Sequence, residues 1–186
     1  MNISLWHDLQ AMFATLRDAK RERWDRCMPF EELLFEREEK ASYLGWGEGA
    51  TCYQQSYVFG DVTVGAGTWV GPFTILDGAH APLRIGDFCT IGAGVHLYTH
   101  DTVRWALSGG EAPYQHAPTT IGNNCHLGAY AVVLKGVTVG DGCIIGAHAL
   151  VRSNLPPHSV AVGVPARIIR ETTAAERGVP SVAMVP

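Results

Sequence analysis

The chain has 186 residues, of which 47% are hydrophobic and 17% charged, and its formal net charge is −4. That length suits one principal domain with an appendage, and the apolar fraction is enough for a sizeable core. The small negative charge gives no reason to expect nucleic acid or an anionic membrane as a partner. Charges run throughout the first thirty residues, which argues against a secretory leader or a membrane-inserted segment. The five cysteines show no paired spacing. They fit a reducing compartment, by default the cytoplasm, better than a disulfide framework.

Residues 1–50 read as a helical segment. Leu5, Trp6, Leu9, Met12, Phe13 and Leu16 recur at helical spacing, with Ser4 placed to cap. Pro29 suits the first turn of a second helix, with Phe30, Leu33 and Leu34 as its apolar face and Glu36 to Lys40 as its solvated face. Helices of this length cannot bury an apolar stripe by themselves, so they are expected to dock on the rest of the chain or on a neighbouring copy. Gly45, Gly47 and Gly49, around Trp46, punctuate the passage into the next region.

From Thr51 the period changes. Cys52, Val58, Val64, Val70 and Leu76 stand six apart, as do Ile85, Ile91 and Leu97, and then Ile121, Leu127, Val133, Val139, Ile145 and Val151. A helix repeats at about 3.6 and a half-buried strand at 2. A strict six returns an apolar residue to the same interior column after a short strand and a tight turn, the signature of a parallel β-helix. Gly65, Gly71, Gly86 and Gly92 follow the aliphatic position, where a missing Cβ is expected to permit the corner. Cys89, Cys125 and Cys143 fall on a column of small residues and are expected to be buried. Asp77 to Arg84 overruns the period by three residues, so a bulged corner is expected there.

Between Leu97 and Ile121 the pattern lapses. The interval Tyr98 to Thr120 holds His100, Asp101, Arg104, Trp105 and His116. A long loop ejected from a regular coil is uncommon unless it serves a function.

Thr74-Ile75-Leu76-Asp77, Leu97-Tyr98-Thr99-His100, Ile121-Gly122-Asn123-Asn124, Gly136 to Asp141 and Gly163-Val164-Pro165-Ala166-Arg167 to Arg170 resemble the hexapeptide-repeat acyltransferases. That family comprises left-handed β-helix enzymes that acetylate sugars, galactosides, maltose and xenobiotics. The resemblance covers roughly Thr51 to Arg170 and implies an all-β fold with a helical appendage: a left-handed parallel β-helix over 51–170, N-terminal helices, one long ejected loop, and a tail over 171–186. It also implies acetyl-CoA as co-substrate, no required metal, and a homotrimer with each active site between two coils. The expected activity is transfer of an acetyl or short acyl group to a hydroxyl or amino group of a sugar or glycan precursor, with O-transfer favoured.

The resemblance makes His100 the general base, and a neutral imidazole suits that task near neutral pH. Asp101 is adjacent, but neighbours in an extended segment point to opposite faces. No serine or cysteine sits in a nucleophile elbow, so direct attack in a ternary complex is expected. By the same resemblance Ala129 contributes an N–H near the thioester, Ala147 lies one rung beyond along the pantetheine arm, and Arg152, Arg167 and Arg170 lie near the phosphates and adenine. Asp77 matches an acceptor-contacting position, with an Asp-Gly turn as the structural alternative. His126 stands where many relatives carry Trp beside the acetyl pocket, and Trp105 either stacks on a sugar or anchors the loop. Two other functions stay open: a non-catalytic β-helix assembly or binding subunit, and a γ-type carbonic anhydrase, which needs three converging histidines.

Overall fold

A computed structural model describes residues 3–178. From Thr51 the chain winds into a three-sided parallel β-helix. One face is a sheet in which Thr51–Cys52, Trp69–Val70, Thr90–Ile91, His126–Leu127, Ile144–Ile145 and Ser159–Val162 stack in order, closed by the antiparallel strand Arg167–Glu171. The second face stacks Ile75 and Leu76 on His96–Leu97, Val132–Val133 and Leu150–Val151. The third stacks Leu83 to Ile85 on Thr119–Ile121 and Thr138–Val139. Strands Tyr57–Val64 and Ile75–Ile85 run around the corner between the second and third faces and fuse them.

The six-residue columns point inward. Leu76, Leu97 and Val133 on one face, and Val70, Ile91, Leu127 and Ile145 on another, are all 0% exposed. Burying such side chains supplies roughly 1.5–3 kcal/mol each, and the stacked rungs pair one another's backbone groups. Cys89, Cys125 and Cys143 are buried on the small-residue column. Their thiols donate to the carbonyls of Gly122, Gly140 and Pro156 on the following rungs.

The glycines after each aliphatic position have a different purpose from the one expected. The left-handed backbone at the corners falls two residues later, on Phe73, Phe88, Asn124, Tyr130, His148 and His158 as well as on Gly67, Gly94, Gly136 and Gly142. What the earlier glycines permit is close approach of the next rung. A Cβ on Gly140 would lie 2.5 Å from the Pro157 nitrogen and 2.8 Å from its Cα.

The overlong corner appears as a register slip: Gly60 pairs with Gly78, but Val62 pairs with Leu83. The loop leaves after Leu97 and returns at Thr119 with its base tied shut. Thr99 donates its hydroxyl to the Asp77 carbonyl (2.8 Å), Thr119 its hydroxyl to the Tyr98 carbonyl (2.8 Å), and Ala117 its N–H to Thr99 (2.9 Å). Inside the loop, His100–Asp101 pairs antiparallel with Gln115–His116, and Val103–Leu107 forms a short helix.

The N-terminal segment departs from expectation in three ways. The first helix, Ile3–Trp24, already contains Ser4, which therefore does not cap it. Within one chain its stripe does not dock on the coil: Leu5, Trp6, Leu9 and Met12 are 40–57% exposed, and Phe13 touches Phe30 at 5.9 Å between ring centroids, which leaves a neighbouring copy as the expected cover. The anticipated second helix is two, Glu31–Leu34 and Arg37–Tyr43, because Phe35 and Glu36 are extended between them. Glu36 to Lys40 is accordingly more than a solvated face. Lys40 donates to the carbonyls of Tyr53, Gln54 and Ser56, capping the first rung of the coil. Among the described residues no helix is long and apolar enough to cross a membrane.

Candidate functional site

Rung stacking sets Leu76 beside Leu97, which brings Asp77 against the start of the ejected loop. Asp77 is 4% exposed. One of its oxygens accepts the Ala79 N–H (3.0 Å), the Asp-Gly turn geometry. The other lies 2.8 Å from Nδ1 of His100. The ring N–H is not aligned along that line, so no full hydrogen bond is made; in ligand-free sites such contacts commonly tighten when substrate arrives. The Thr99 hydroxyl bond to the Asp77 carbonyl holds the two segments in this relation. A carboxylate at Nδ1 keeps the proton on that nitrogen and leaves the Nε2 lone pair for chemistry.

His100 opens on a cleft of about 570 Å³ lined by Tyr98, His100, Asp101, Thr102, Val103, Leu134, Lys135 and Arg152. Tyr98, Leu134 and Arg152 each follow an interior residue of the second face on successive rungs, so they form an axial stripe that ends in a guanidinium. Burial, and secondarily the Asp77 carboxylate, push the Tyr98 phenol above its ordinary value, so it stays a donor. Asp101 turns away from His100 to Lys135 (2.9 Å), and this ammonium holds its carboxyl below the usual range.

A set of rings surrounds the imidazole. His80 lies 4.4 Å from His100 between centroids, Tyr114 lies 5.3 Å from His80 and 6.1 Å from His100, and Trp105 meets Tyr114 edge-on at 5.8 Å. Trp105 is thus packed edge-on against the loop's own tyrosine while remaining exposed.

His100, Asp77 and Arg152 therefore come together within one chain. Trp105 reaches them through Tyr114, and Ala129, Ala147, His126, Arg167 and Arg170 do not join them. Ala129 and Ala147 lie at the corner between the first and second faces, whereas the loop leaves between the second and third; among the described residues neither N–H donates to a protein acceptor. His126 is exposed on the first face, across the prism from His100, beside Asp141 and His158. Arg167 is exposed on the closing strand. Arg170 is held by both Glu176 oxygens at 2.8 and 2.9 Å, which leaves it less free for a phosphate than expected. His80 was not singled out in the sequence; the one signal for it was the three-residue overrun of its corner.

Residues 118–153 match the family model described as bacterial transferase hexapeptide (six repeats). Galactoside O-acetyltransferase of Escherichia coli (strain K12) is 35% identical over 130 residues, 59% of this chain and 63% of that protein. The chain thus spans less than two thirds of that relative's length. A 2,3,4,5-tetrahydropyridine-2,6-dicarboxylate N-acetyltransferase of Lacticaseibacillus paracasei is 54% identical over 65 residues, 35% of this chain and 28% of that one. Among solved structures, a hexapeptide-repeat-containing acetyltransferase of Vibrio cholerae superposes with a TM-score of 0.66 at 25% identity, covering 89% of this chain and 93% of that one. An N-acyltransferase of Bacillus cereus, solved with dTDP and coenzyme A, superposes at 0.65 over 78% of this chain and 95% of that one; at 20% identity this shows likeness of fold alone. Repeat, sequence relative and superposition agree: the chain carries the bacterial transferase hexapeptide repeat and shares the parallel β-helix fold of hexapeptide-repeat acetyltransferases.

Proposed function

We propose that the protein transfers an acetyl or other short acyl group from acyl-CoA to a hydroxyl or amino group of a sugar or glycan precursor, by direct attack in a ternary complex. The observation that carries this reading is the His100–Asp77 pair, 2.8 Å apart at the mouth of a cleft that ends in Arg152. Asp77 acts as the orienting carboxylate behind the base rather than as an acceptor ligand. Nε2 of His100 takes the acceptor proton as the acceptor oxygen or nitrogen bonds to the thioester carbonyl carbon. The tetrahedral centre then collapses, the carbon–sulfur bond breaks, and the imidazolium returns the proton to the leaving thiolate. The stripe of Tyr98, Leu134 and Arg152 suits an apolar arm ending in phosphate.

The open N–H groups of Ala129 and Ala147 sit at a different corner, so they serve the reaction only when a second copy brings that corner to His100. This supports a site assembled between copies of a homotrimer, with Ala129 as donor to the oxyanion and Ala147 along the pantetheine. Arg167 extends the phosphate contacts. Both an O- and an N-acetyltransferase stand among the relatives, so the acceptor atom is open, with oxygen favoured. Among the described residues no three His, Cys, Asp or Glu side chains are grouped to hold a metal, and the anhydrase reading gains no support from them.

The test is thiol release from acetyl-CoA over nucleotide sugars, simple sugars, aminoglycosides and chloramphenicol-like acceptors. His100→Ala is expected to lower turnover by about a hundredfold or more. Near-wild-type turnover in that variant removes His100 from the mechanism.

A further inference from the structure

Beside the proposed base stands a second imidazole that the reaction as written does not use. His80 exists at that position because its corner is overlong: Gly60 faces Gly78, yet two residues later Val62 faces Leu83. The surplus residues lift Ala79 and His80 out of the rung into solvent. His80 leans over His100 at 4.4 Å between centroids with the ring planes at 57°, and Tyr114 closes the far side of both.

Among the described residues none hydrogen-bonds the His80 ring, so its two nitrogens face a ligand unhindered by them. Its position along the prism is also informative. The second face runs Leu76, Leu97, Val133, Val151, and the cleft with Leu134 and Arg152 lies on the later rungs from His100. His80 lies on the earlier rung. The imidazole of His100 therefore stands between the cleft on the later rungs and the exposed His80 ring on the earlier one.

We infer that His80 is an acceptor-contacting residue: it hydrogen-bonds the oxygen next to the attacked one, so the acceptor carries a vicinal diol or amino alcohol. Two imidazoles this close reach neighbouring heteroatoms of a single sugar ring, one bonding the nucleophile and the other its neighbour. His80 offers either a donor or a lone pair, and a hydroxyl satisfies both. The inference rests on the acyl-transfer reading and adds the acceptor's chemistry to it.

The experiment uses acetyl-CoA with methyl galactopyranoside, methyl glucopyranoside and their monodeoxy derivatives, for the full chain and its His80→Phe and His80→Gln variants. Phe keeps the ring packing on His100 and Tyr114 but has no hydrogen-bonding atom. In the wild type, removing the hydroxyl beside the acetylated one is expected to lower kcat/KM by about fivefold to tenfold, the size of one hydrogen bond. His80→Phe should treat parent and deoxy sugar alike with an unchanged KM for acetyl-CoA, and Gln should recover part of the discrimination. If His80→Phe keeps the wild-type discrimination, or loses kcat on every acceptor alike, the ring is only a packing element and the inference is wrong. Turnover of chloramphenicol-like acceptors but of no methyl glycoside overturns the diol assignment and leaves acyl transfer standing. No thiol release with any acceptor overturns both.

Discussion

The substitution Asp77→Asn isolates the orienting carboxylate. The amide is nearly isosteric, and its oxygen can still accept the Ala79 N–H that Asp77 accepts at 3.0 Å. That bond forces the NH₂ to face Nδ1 of His100, where the carboxylate oxygen now lies at 2.8 Å. An amide N–H donates to Nδ1, so the ring proton moves to Nε2, the atom that must accept the acceptor's proton. Restoring the productive tautomer sets two donors against each other at a site where Asp77 is 4% exposed. A buried unpaired donor costs about 1–3 kcal/mol, which is about a fivefold to 150-fold loss of active tautomer. The imidazolium formed in the transition state also loses its counter-charge, so the whole fall in kcat should be about 10²–10⁴-fold. KM for acetyl-CoA should stay near wild type, since Tyr98, Leu134 and Arg152 are untouched. Steady-state thiol release measures both constants, with circular dichroism confirming the fold. A variant that keeps more than about a fifth of wild-type kcat would refute the orienting role, because the tautomer argument alone predicts a larger loss.

Two further expectations follow from the coil and its closing strand. Gly140→Ala places a methyl group 2.5 Å from the Pro157 nitrogen, against backbone that a proline ring keeps from moving aside. Overpacking of this kind costs about 1–3 kcal/mol, so the melting temperature should drop by about 2–12 °C; an unchanged value in calorimetry would show that the rungs can spread. Arg170 first, then the Thr173 N–H and hydroxyl, hold the Glu176 carboxyl down at about 2, against an ordinary 4.5. Because the folded value is depressed, its stabilising contribution is fully present above pH 4.5 and is lost as pH falls from there towards about 2. A carbon-detected NMR titration of the Glu176 carboxyl should therefore find its midpoint near 2. A midpoint near 4.5 would mean that Arg170 is free in solution and open to a phosphate.

Much of the architecture was legible because period six has one physical solution, an interior column revisited after a strand and a corner. The broken stretch between Leu97 and Ile121 marked the loop for the same reason, since nothing in a regular rung explains it. What period alone left ambiguous was the reason for each residue type. Glycine after the aliphatic position was assigned to the turn, yet the turn falls two residues later, where Tyr130 and His148 tolerate left-handed backbone. The close approach of neighbouring rungs is a relation between coils, and no single repeat displays it. The helical segment misled for a related cause: spacing identified an apolar stripe on Leu5, Trp6, Leu9 and Met12 but contained nothing about what covers it, and one chain leaves it exposed.

The site shows the same division more sharply. His100 was visible through a motif, whereas its relation to Asp77 depends on register. Leu76 pairs with Leu97, not with a residue one ordinary coil later, because the corner at Asp77 to Arg84 is overlong. The column pairing puts Asp77 behind the imidazole, and the irregularity puts His80 beside it. Shortening the corner by three residues would restore an even coil and should preserve the fold, since the interior columns on either side keep their period. It would also remove His80 from beside His100 while leaving Asp77 on its rung, since Leu76 would still meet Leu97. On the proposed reading the bulge has a chemical consequence: the coil departs from its period where it sets a second imidazole beside His100, a side chain that a regular rung does not deliver.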